Sequence, residues 1–336
     1  MKVLLTGGSG FIGRHLIAQL HSEGHEVANL DIAPPSEPSH RALWREGSIL
    51  DPGSLSQCFR EFQPQGVVHL AALAVMEGRS LADFRANTDG TANVLAAVKA
   101  AGTVQRLVVT STQHVRKPGS GPPKSDDDYV PYMLYGESKV ITEQLTRAAG
   151  LPGHWTLIRP TAVWGTHHPL LTSGLWRLIH RGLYRHPSHD PVIRSYGYVE
   201  NVAWQIGRIL SLPAEATQGR TLYVGDDNGR QVEWIHSFAR ALTGREARTV
   251  PLWSLRVLAR IGDLVRAFGL PFPMYASRLY NLITDNPVPI QPTFDVLGRG
   301  PRTLPQGVET TATWLLEQYG DLERARSLRA ATSAKI

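Results

Sequence analysis

Thr6-Gly7-Gly8-Ser9-Gly10-Phe11-Ile12-Gly13 is the stretch from which the rest of the 336-residue chain can be read. It follows a β-rich run, Lys2–Thr6, and opens a helical pattern, Phe11–Ser22; its Gly8, Gly10 and Gly13 fit the spacing G-x-G-x-x-G. Glycines let a turn tighten and let the backbone approach a pyrophosphate. The helix N-terminus then turns its N–H groups and the positive end of its dipole toward that anion. The next candidate strand, Glu26–Asp31, ends on a carboxylate. Asp31 there can accept hydrogen bonds from adenosine ribose hydroxyls and repel a 2′-phosphate, so NAD is the expected cofactor. Arg14 and Arg41 are the residues that keep NADP open.

Working outward, candidate strands Gly66–Leu70, Gln105–Ser111 and Trp155–Arg159 alternate with helical patterns Gly53–Phe62, Leu81–Ala100 and Pro131–Ala149. Such alternation predicts an α/β fold, a Rossmann-type doubly wound parallel sheet with helices on both faces. The stretch Gln113–Asp128, rich in proline, glycine and charge, reads as a mobile loop. From about Gly165 the alternation loosens and prolines multiply, which predicts a smaller C-terminal substrate-binding lobe. The expected division is residues 1–165 with 193–225 as the NAD-binding domain, 166–192 with 226–320 as the lobe, and 321–336 as a C-terminal tail. Within the lobe, Leu252–Phe268 carries a polar stripe of Arg256, Arg260, Asp263 and Arg266 among apolar residues. It reads as a helix covering the lobe's core, the alternative being a helix lying on a membrane surface.

Composition narrows the function. At 42% hydrophobic and 19% charged the chain is neither disordered nor fibrous. No run approaches the roughly 18 uncharged apolar residues of a spanning helix, and the N-terminus turns glycine-rich where a signal peptide needs its apolar centre. A cytoplasmic protein without membrane insertion is expected. The single Cys58 has no second cysteine for a disulfide, zinc or redox pair. The net charge of +6 invites a nucleic-acid reading, yet 29 of the 35 basic residues are arginines scattered without a run of five. That scatter favours a solvated surface or a bound small anion, and no nucleic-acid partner is expected. His167 and His168 lack a third ligand at useful spacing, so no metal is expected.

A second cluster carries chemistry: Tyr135-Gly136-Glu137-Ser138-Lys139. On a helix, residues four apart share a face, and a lysine there is expected to lower a phenol from its ordinary value of about 10. A phenol so tuned acts as acid or base. The chain also carries VVHLAAL at 67–73, NTDGT at 87–91, LVVTST at 107–112, RPTAVWG at 159–165 and RSYGYVENVA at 194–203. With the glycine loop and YGESK, these motifs resemble the extended short-chain dehydrogenase/reductases, the NAD-dependent epimerase/dehydratase group, across about the first 225 residues.

The resemblance implies roles. Thr112 would hydrogen-bond the reacting oxygen, Tyr135 would transfer its proton, and Lys139 would hold the nicotinamide ribose. Gly7, Gly10, Phe11, Ile12 and Gly13, with Asp31, Ser48, Ile49, Leu70, Ala71, Ala72, Asn87, Thr110 and Pro160, would line the cofactor. Thr112, Gln113, Tyr135 and Arg194 would contact substrate, Arg194 by gripping a diphosphate. Departures are informative: Gln113 and His114 stand where dehydratases of the group carry Asp and Glu, which excludes that branch, and Ala162 replaces an Asn of many epimerases. The expectation is an NAD-dependent nucleotide-sugar epimerase inverting C4 through a 4-keto intermediate, acting as a homodimer on a nucleotide-diphosphate sugar. The alternatives are a 4-keto-sugar reductase, a 3-beta-hydroxysteroid dehydrogenase-like oxidoreductase and a non-catalytic NAD-binding protein.

Overall fold

The computed structural model describes residues 1–75, 78–172, 174–188 and 191–333, the backbone alone beyond residue 320. Its first half runs β1 (Lys2–Thr6), α1 (Phe11–Ser22), β2 (Glu26–Asp31), β3 (Trp44–Glu46), α2 (Pro52–Phe62) and β4 (Gly66–His69). It continues through α3 (Asp89–Ala101), β5 (Arg106–Thr110), α4 (Leu134–Ala148) and β6 (His154–Pro160). Together with Thr221–Val224 these strands form one seven-stranded sheet, in the order Thr221–Val224, β6, β5, β4, β1, β2, β3. The pairings are parallel throughout.

Strand side chains alternate between the two faces, so near-continuous apolar runs feed two cores. Val3 and Leu5 join Leu16, Ile17 and Leu20 of α1 and Val202, Ile206 and Ile209 of the helix Val199–Ser211. Leu4, Val67, Leu107 and Val109 face the other way, onto Leu55, Phe59 and Phe62 of α2 and Val94, Leu95 and Val98 of α3. Cys58 belongs to this second core, and burial pushes its thiol up to about 11. The order of the sheet reverses between β1 and β4, and a crevice opens beyond the C-terminal ends of those two strands, where Thr6 pairs with His69.

Three expectations change. The helix expected over Leu81–Ala100 is a 3-10 turn, Leu81–Phe84, followed by α3. Ser80 and Asp83 cap the turn, Phe84 is fully buried, and the Asn87 side chain leaves to bond Leu73, which breaks the helix. The stretch Gln113–Asp128 is tied down: Arg116, 8% exposed, pairs with the Asp128 carboxylate at 2.8 Å, Lys117 N–H donates to the Val130 carbonyl and Val130 N–H to the Val115 carbonyl. Proline and glycine content flagged a break from regular structure there but not the arginine that holds it. The third change concerns the proline-punctuated segment after Pro287.

The chain divides into two compact units. The first comprises Met1–Val163, Ser195–Asp227 and Val288–Pro301; the second Trp164–Arg194, Asn228–Pro287 and Arg302–Ile336. Val288–Pro301, expected in the substrate lobe, belongs to the first unit because Val288, Ile290 and Phe294 pack on Tyr223. The second unit has a parallel pair, Arg185–Ser188 with Arg248–Pro251, and an aromatic cluster in which Trp176 and Phe238 have ring centroids 4.3 Å apart. Its last helix, Leu304–Ser333, runs through most of the expected tail; Ala334–Ile336 of that tail, and Ser173, His189 and Asp190 of the expected lobe, lie outside the described residues.

One buried ion pair joins α4 to β6. Arg159, 1% exposed, places Nε 2.8 Å from Glu143 Oε1 and Nη2 2.8 Å from Oε2. The Ser111 and Tyr129 hydroxyls donate to the same carboxylate at 2.5 and 2.9 Å. Removing one partner of such a pair strands the other charge in the interior. Arg159→Met is expected to cost about 3–5 kcal/mol, read as a lower urea midpoint at unchanged slope; a loss under about 1 kcal/mol would show that the pair does not hold this region.

Candidate active site

The β1–α1 turn is built by close backbone approach. Gly7 has φ +78°, and a Cβ on it would stand 2.5 Å from the Ala71 nitrogen, so only glycine lets the turn touch the chain leaving β4. Gly8 N–H donates to Asn29 Oδ1 at 2.8 Å and Ser9 N–H to Asp31 Oδ2 at 3.0 Å. No side chain caps α1 at Gly10. The Asp31 carboxylate, which also accepts Ala33 N–H at 3.0 Å, is thus fixed beside the glycine turn. Arg14 is engaged by Glu37 and by Ser36 Oγ, and Arg41 is exposed. A helix N-terminus without a capping side chain, a glycine cradle and a carboxylate at the β2 end fit an adenine dinucleotide with an unphosphorylated ribose.

Across the crevice, α4 presents Tyr135 and Lys139 one turn apart. Gly136 permits this: a Cβ there would lie 2.4 Å from the His114 carbonyl oxygen, so α4 approaches the Gln113–Val115 turn closely enough to bring Tyr135 to Thr112. Both are buried; the Thr112 hydroxyl accepts His114 N–H at 3.2 Å and acts on the phenol to lower its pKa. Lys139, 2% exposed, donates from Nζ to the Thr110 carbonyl at 2.8 Å. Burial lowers its ammonium to about 8, with Glu143 pulling the other way. Burial raises the Tyr135 phenol, and the neighbouring Thr112 hydroxyl offsets only part of this. The expectation that Lys139 lowers the phenol is therefore reversed in this structure: desolvation dominates, and the ammonium is committed to Thr110. Nearby, the buried Thr110 Oγ1 and Gln113 Oε1 have no hydrogen-bond partner, which leaves polar atoms for a ligand to meet.

Asn87 ties the two sides together. Its amide donates to the Leu73 carbonyl at 3.0 Å and to Ser138 Oγ at 2.9 Å, while Leu73 N–H donates back to Oδ1 at 2.7 Å. Thr91 and Thr142 hydroxyls both donate to the Asn87 carbonyl, at 2.8 and 2.6 Å. Sequence reading missed His69 of this network. Its Nε2 lies 3.1 Å from the Thr91 hydroxyl and its Nδ1 2.7 Å from that of Thr6. Because Thr91 already donates to Asn87, His69 donates from Nε2 and accepts at Nδ1. Burial lowers this ring to about 3, so it stays neutral.

The remaining expected residues fall in several places. Leu70, Ala71 and Ala72 leave β4 half-buried, and Pro160 ends β6. Ser48 Oγ accepts Leu50 N–H at 3.1 Å, which engages the hydroxyl expected to meet adenine, and Ile49 is buried with its carbonyl bonded to Asn93. Arg194 is a residue of the second unit, where it is half-buried and donates to the Thr284 carbonyl at 3.3 Å; the orientation of the Gln231 amide that satisfies both its ends also receives Arg194 Nε at 3.2 Å. Tyr132, missed in the sequence, lies beside the site with its hydroxyl 3.2 Å from His114 Nδ1, and the His114 ring is 6.4 Å from that of Tyr135. The His167 ring is tilted against that of Trp314, centroids 5.2 Å apart, and His168 Nδ1 accepts Leu170 N–H, so each has a local partner.

The model of the NAD dependent epimerase/dehydratase family matches residues 3–225. A 3 beta-hydroxysteroid dehydrogenase/Delta 5→4-isomerase of Mycobacterium tuberculosis (strain ATCC 25618 / H37Rv) is 34% identical over 196 residues, 54% of this chain and 52% of that protein. The matched stretch thus spans about half the length of that relative. A 4-hydroxy-2-methyl-3-oxo-4-farnesyl-3,4-dihydroquinoline-1-oxide ketoreductase of Stigmatella aurantiaca is 29% identical over 279 residues, 78% of this chain and 80% of that one. Among solved structures, a UDP-glucose-4-epimerase from Stenotrophomonas maltophila with bound NAD and formylated UDP-arabinopyranose superposes with a TM-score of 0.74 at 22% identity, over 96% of this chain and 99% of that chain, a likeness of fold.

Two outcomes are expected from this geometry. Gly7→Ala forces a Cβ into Ala71 at positive φ and should weaken NAD binding at least about tenfold by calorimetry; unchanged affinity would separate the turn from the cofactor. The His69 ring titrates near 3 when folded against its ordinary 6.5, so the unfolded chain takes up the proton first. Stability must fall as pH drops from 6.5 toward 3. In His69→Gln the slope of unfolding free energy near pH 5 should shrink by about one proton, about 1.4 kcal/mol per pH unit; an unchanged slope contradicts the neutral ring.

Proposed function

The chain belongs to the NAD-dependent epimerase/dehydratase family, and on that premise we propose that it is an NAD-linked oxidoreductase interconverting a secondary alcohol and a ketone on an apolar substrate. The observation that carries the chemistry is the burial of Thr112 and Tyr135 at one place, the threonine lowering the phenol against burial, with Lys139 one helical turn on. NAD, when bound, supplies the hydride acceptor or donor. Gly7, Gly10 and the α1 N-terminus would hold its pyrophosphate and Asp31 a ribose. The chain's own residues handle the proton. Thr112 and Tyr135 hydroxyls converge on one substrate oxygen; Tyr135 gives it a proton in reduction and takes that proton back in oxidation. A phenol raised by burial is neutral at ordinary pH, which is the donating form. The Asn87–Ser138 bond and the Ser138 hydroxyl's bond to the Tyr135 carbonyl hold that turn of the helix in place.

Three features support an apolar substrate over a nucleotide sugar. Arg194 is engaged by Thr284 and Gln231 within its own unit. Ala162 brings no amide to a sugar. The Stigmatella aurantiaca relative, matched along about four fifths of both chains, is named a ketoreductase. The second reading, a nucleotide-sugar 4-epimerase, draws on the Arg194 motif and on the fold neighbour that binds a UDP sugar.

The test is a panel of hydroxysteroids, β-keto acyl compounds and UDP-, GDP- and dTDP-sugars, followed by NADH absorbance and NMR. NADH consumption with the ketones is the expected result, and Tyr135→Phe should lower it by about 10²–10⁴-fold. Inversion at C4 without net NADH change would select the epimerase, and no turnover of any member would overturn both.

A further inference from the structure

The helix Leu252–Ala267 of the second unit packs on one face only. Leu255 and Ala259 are buried against Leu279, with Val250, Met274, Leu282 and Ile283 around them. The opposite face stands in solvent: Trp253 is 67% exposed, Val257 50%, Ile261 48% and Leu264 63%, and Phe268 just past the helix is 77% exposed. At 100° per residue these five and Leu258 occupy one continuous arc of about 140°, about 22 Å long. The expected covering of the lobe's core is made by the Leu255–Ala259 side of the helix.

What borders the arc decides what it meets. Arg260, exposed, stands about 20° outside its Trp253 edge and Arg256, also exposed, about 40° farther round, while Arg266 lies on the packed side over the Tyr275 ring. Asp263, the helix's one acid, lies on the same margin about 20° beyond Arg256 and accepts Ala276 N–H at 3.2 Å. Among the described residues no helix is long and apolar enough to cross a membrane. A wide apolar arc bearing tryptophan and phenylalanine, with arginines along its margin, matches an anionic lipid surface: the rings and aliphatic groups enter the headgroup boundary while the guanidinium groups meet phosphates. A protein partner with a complementary acidic groove is a separate idea for which the arc offers no pocket or register.

We infer that this face docks the protein flat on an anionic phospholipid surface. The inference is independent of the catalytic reading, because the helix belongs to the second unit and binding needs no substrate. The test is co-sedimentation of the full chain with sucrose-loaded vesicles, either phosphatidylcholine alone or an equal mixture with phosphatidylglycerol. The protein should pellet with the anionic vesicles. Val257→Asp with Leu264→Asp, at exposed positions, should leave circular dichroism unchanged and remove binding. Arg256→Gln and Arg260→Gln should each weaken it about fivefold at low salt. Brominated lipid should quench fluorescence in the wild type more than in Trp253→Phe. Protein that stays in the supernatant, or that pellets equally after the double aspartate substitution, overturns the inference. So does a lipid-free dimer that the same substitution breaks, which would give the face to a second copy of the chain.

Discussion

The Asn87 side chain holds the two halves of the site at a fixed separation. On one side it closes two hydrogen bonds with Leu73, where the chain leaves β4 toward the cofactor crevice; on the other it reaches Ser138, between Tyr135 and Lys139 on α4. The backbone carbonyl of Asn87 is clasped by two threonine hydroxyls, so the residue cannot shift without leaving a buried polar group unpaired, at about 1–3 kcal/mol each. The Tyr135 hydroxyl, the proposed proton donor, therefore inherits its position from the sheet. His69 extends the same rigidity to Thr6 at the end of β1, one residue before the glycine turn.

Beneath that clamp lies a second, charged one. Glu143 sits one turn past Lys139 on α4 and is saturated by Arg159, Ser111 and Tyr129. Ser111 precedes Thr112, so the anchor of the carboxylate also holds the threonine proposed to meet substrate. Arg159 further reaches the Asp126 carbonyl and the Tyr223 hydroxyl, which ties the 113–128 stretch to the sheet. The ammonium of Lys139 feels Glu143 as a stabilising charge, yet burial still outweighs it. The site is preorganised by burial, with charges held in place by neutral and ionic hydrogen bonds instead of by solvent.

What the sequence made legible was local. The glycine turn, Asp31 and the strand–helix alternation are written in residue types a few positions apart, and the parallel sheet follows from them by short-range rules. The Leu81–Ala100 helix misled because the same periodicity continues across Asn87, whose side chain is captured by Leu73, fourteen residues earlier in the chain. The tie of Arg159 to Glu143, the hold of Arg116 on Asp128 and the return of Val288–Pro301 to the first unit depend on long-range packing, which spacing does not record. The sign of the Tyr135 shift was missed for a related reason: a lysine four residues away is visible in the sequence, while the desolvation that outweighs it belongs to the folded interior. Glu143 four residues after Lys139, and an arginine before Pro160, were the available hints of the buried pair.

The central claim is that the crevice beyond β1 and β4 is where NAD and the Thr112–Tyr135–Lys139 group come together. A crystal structure of the chain grown with NAD tests it most directly. The account predicts the pyrophosphate over the Gly7–Gly13 turn, an adenosine ribose on Asp31 and the nicotinamide beside Tyr135. A pyrophosphate bound elsewhere, or a nicotinamide remote from Tyr135, would contradict it.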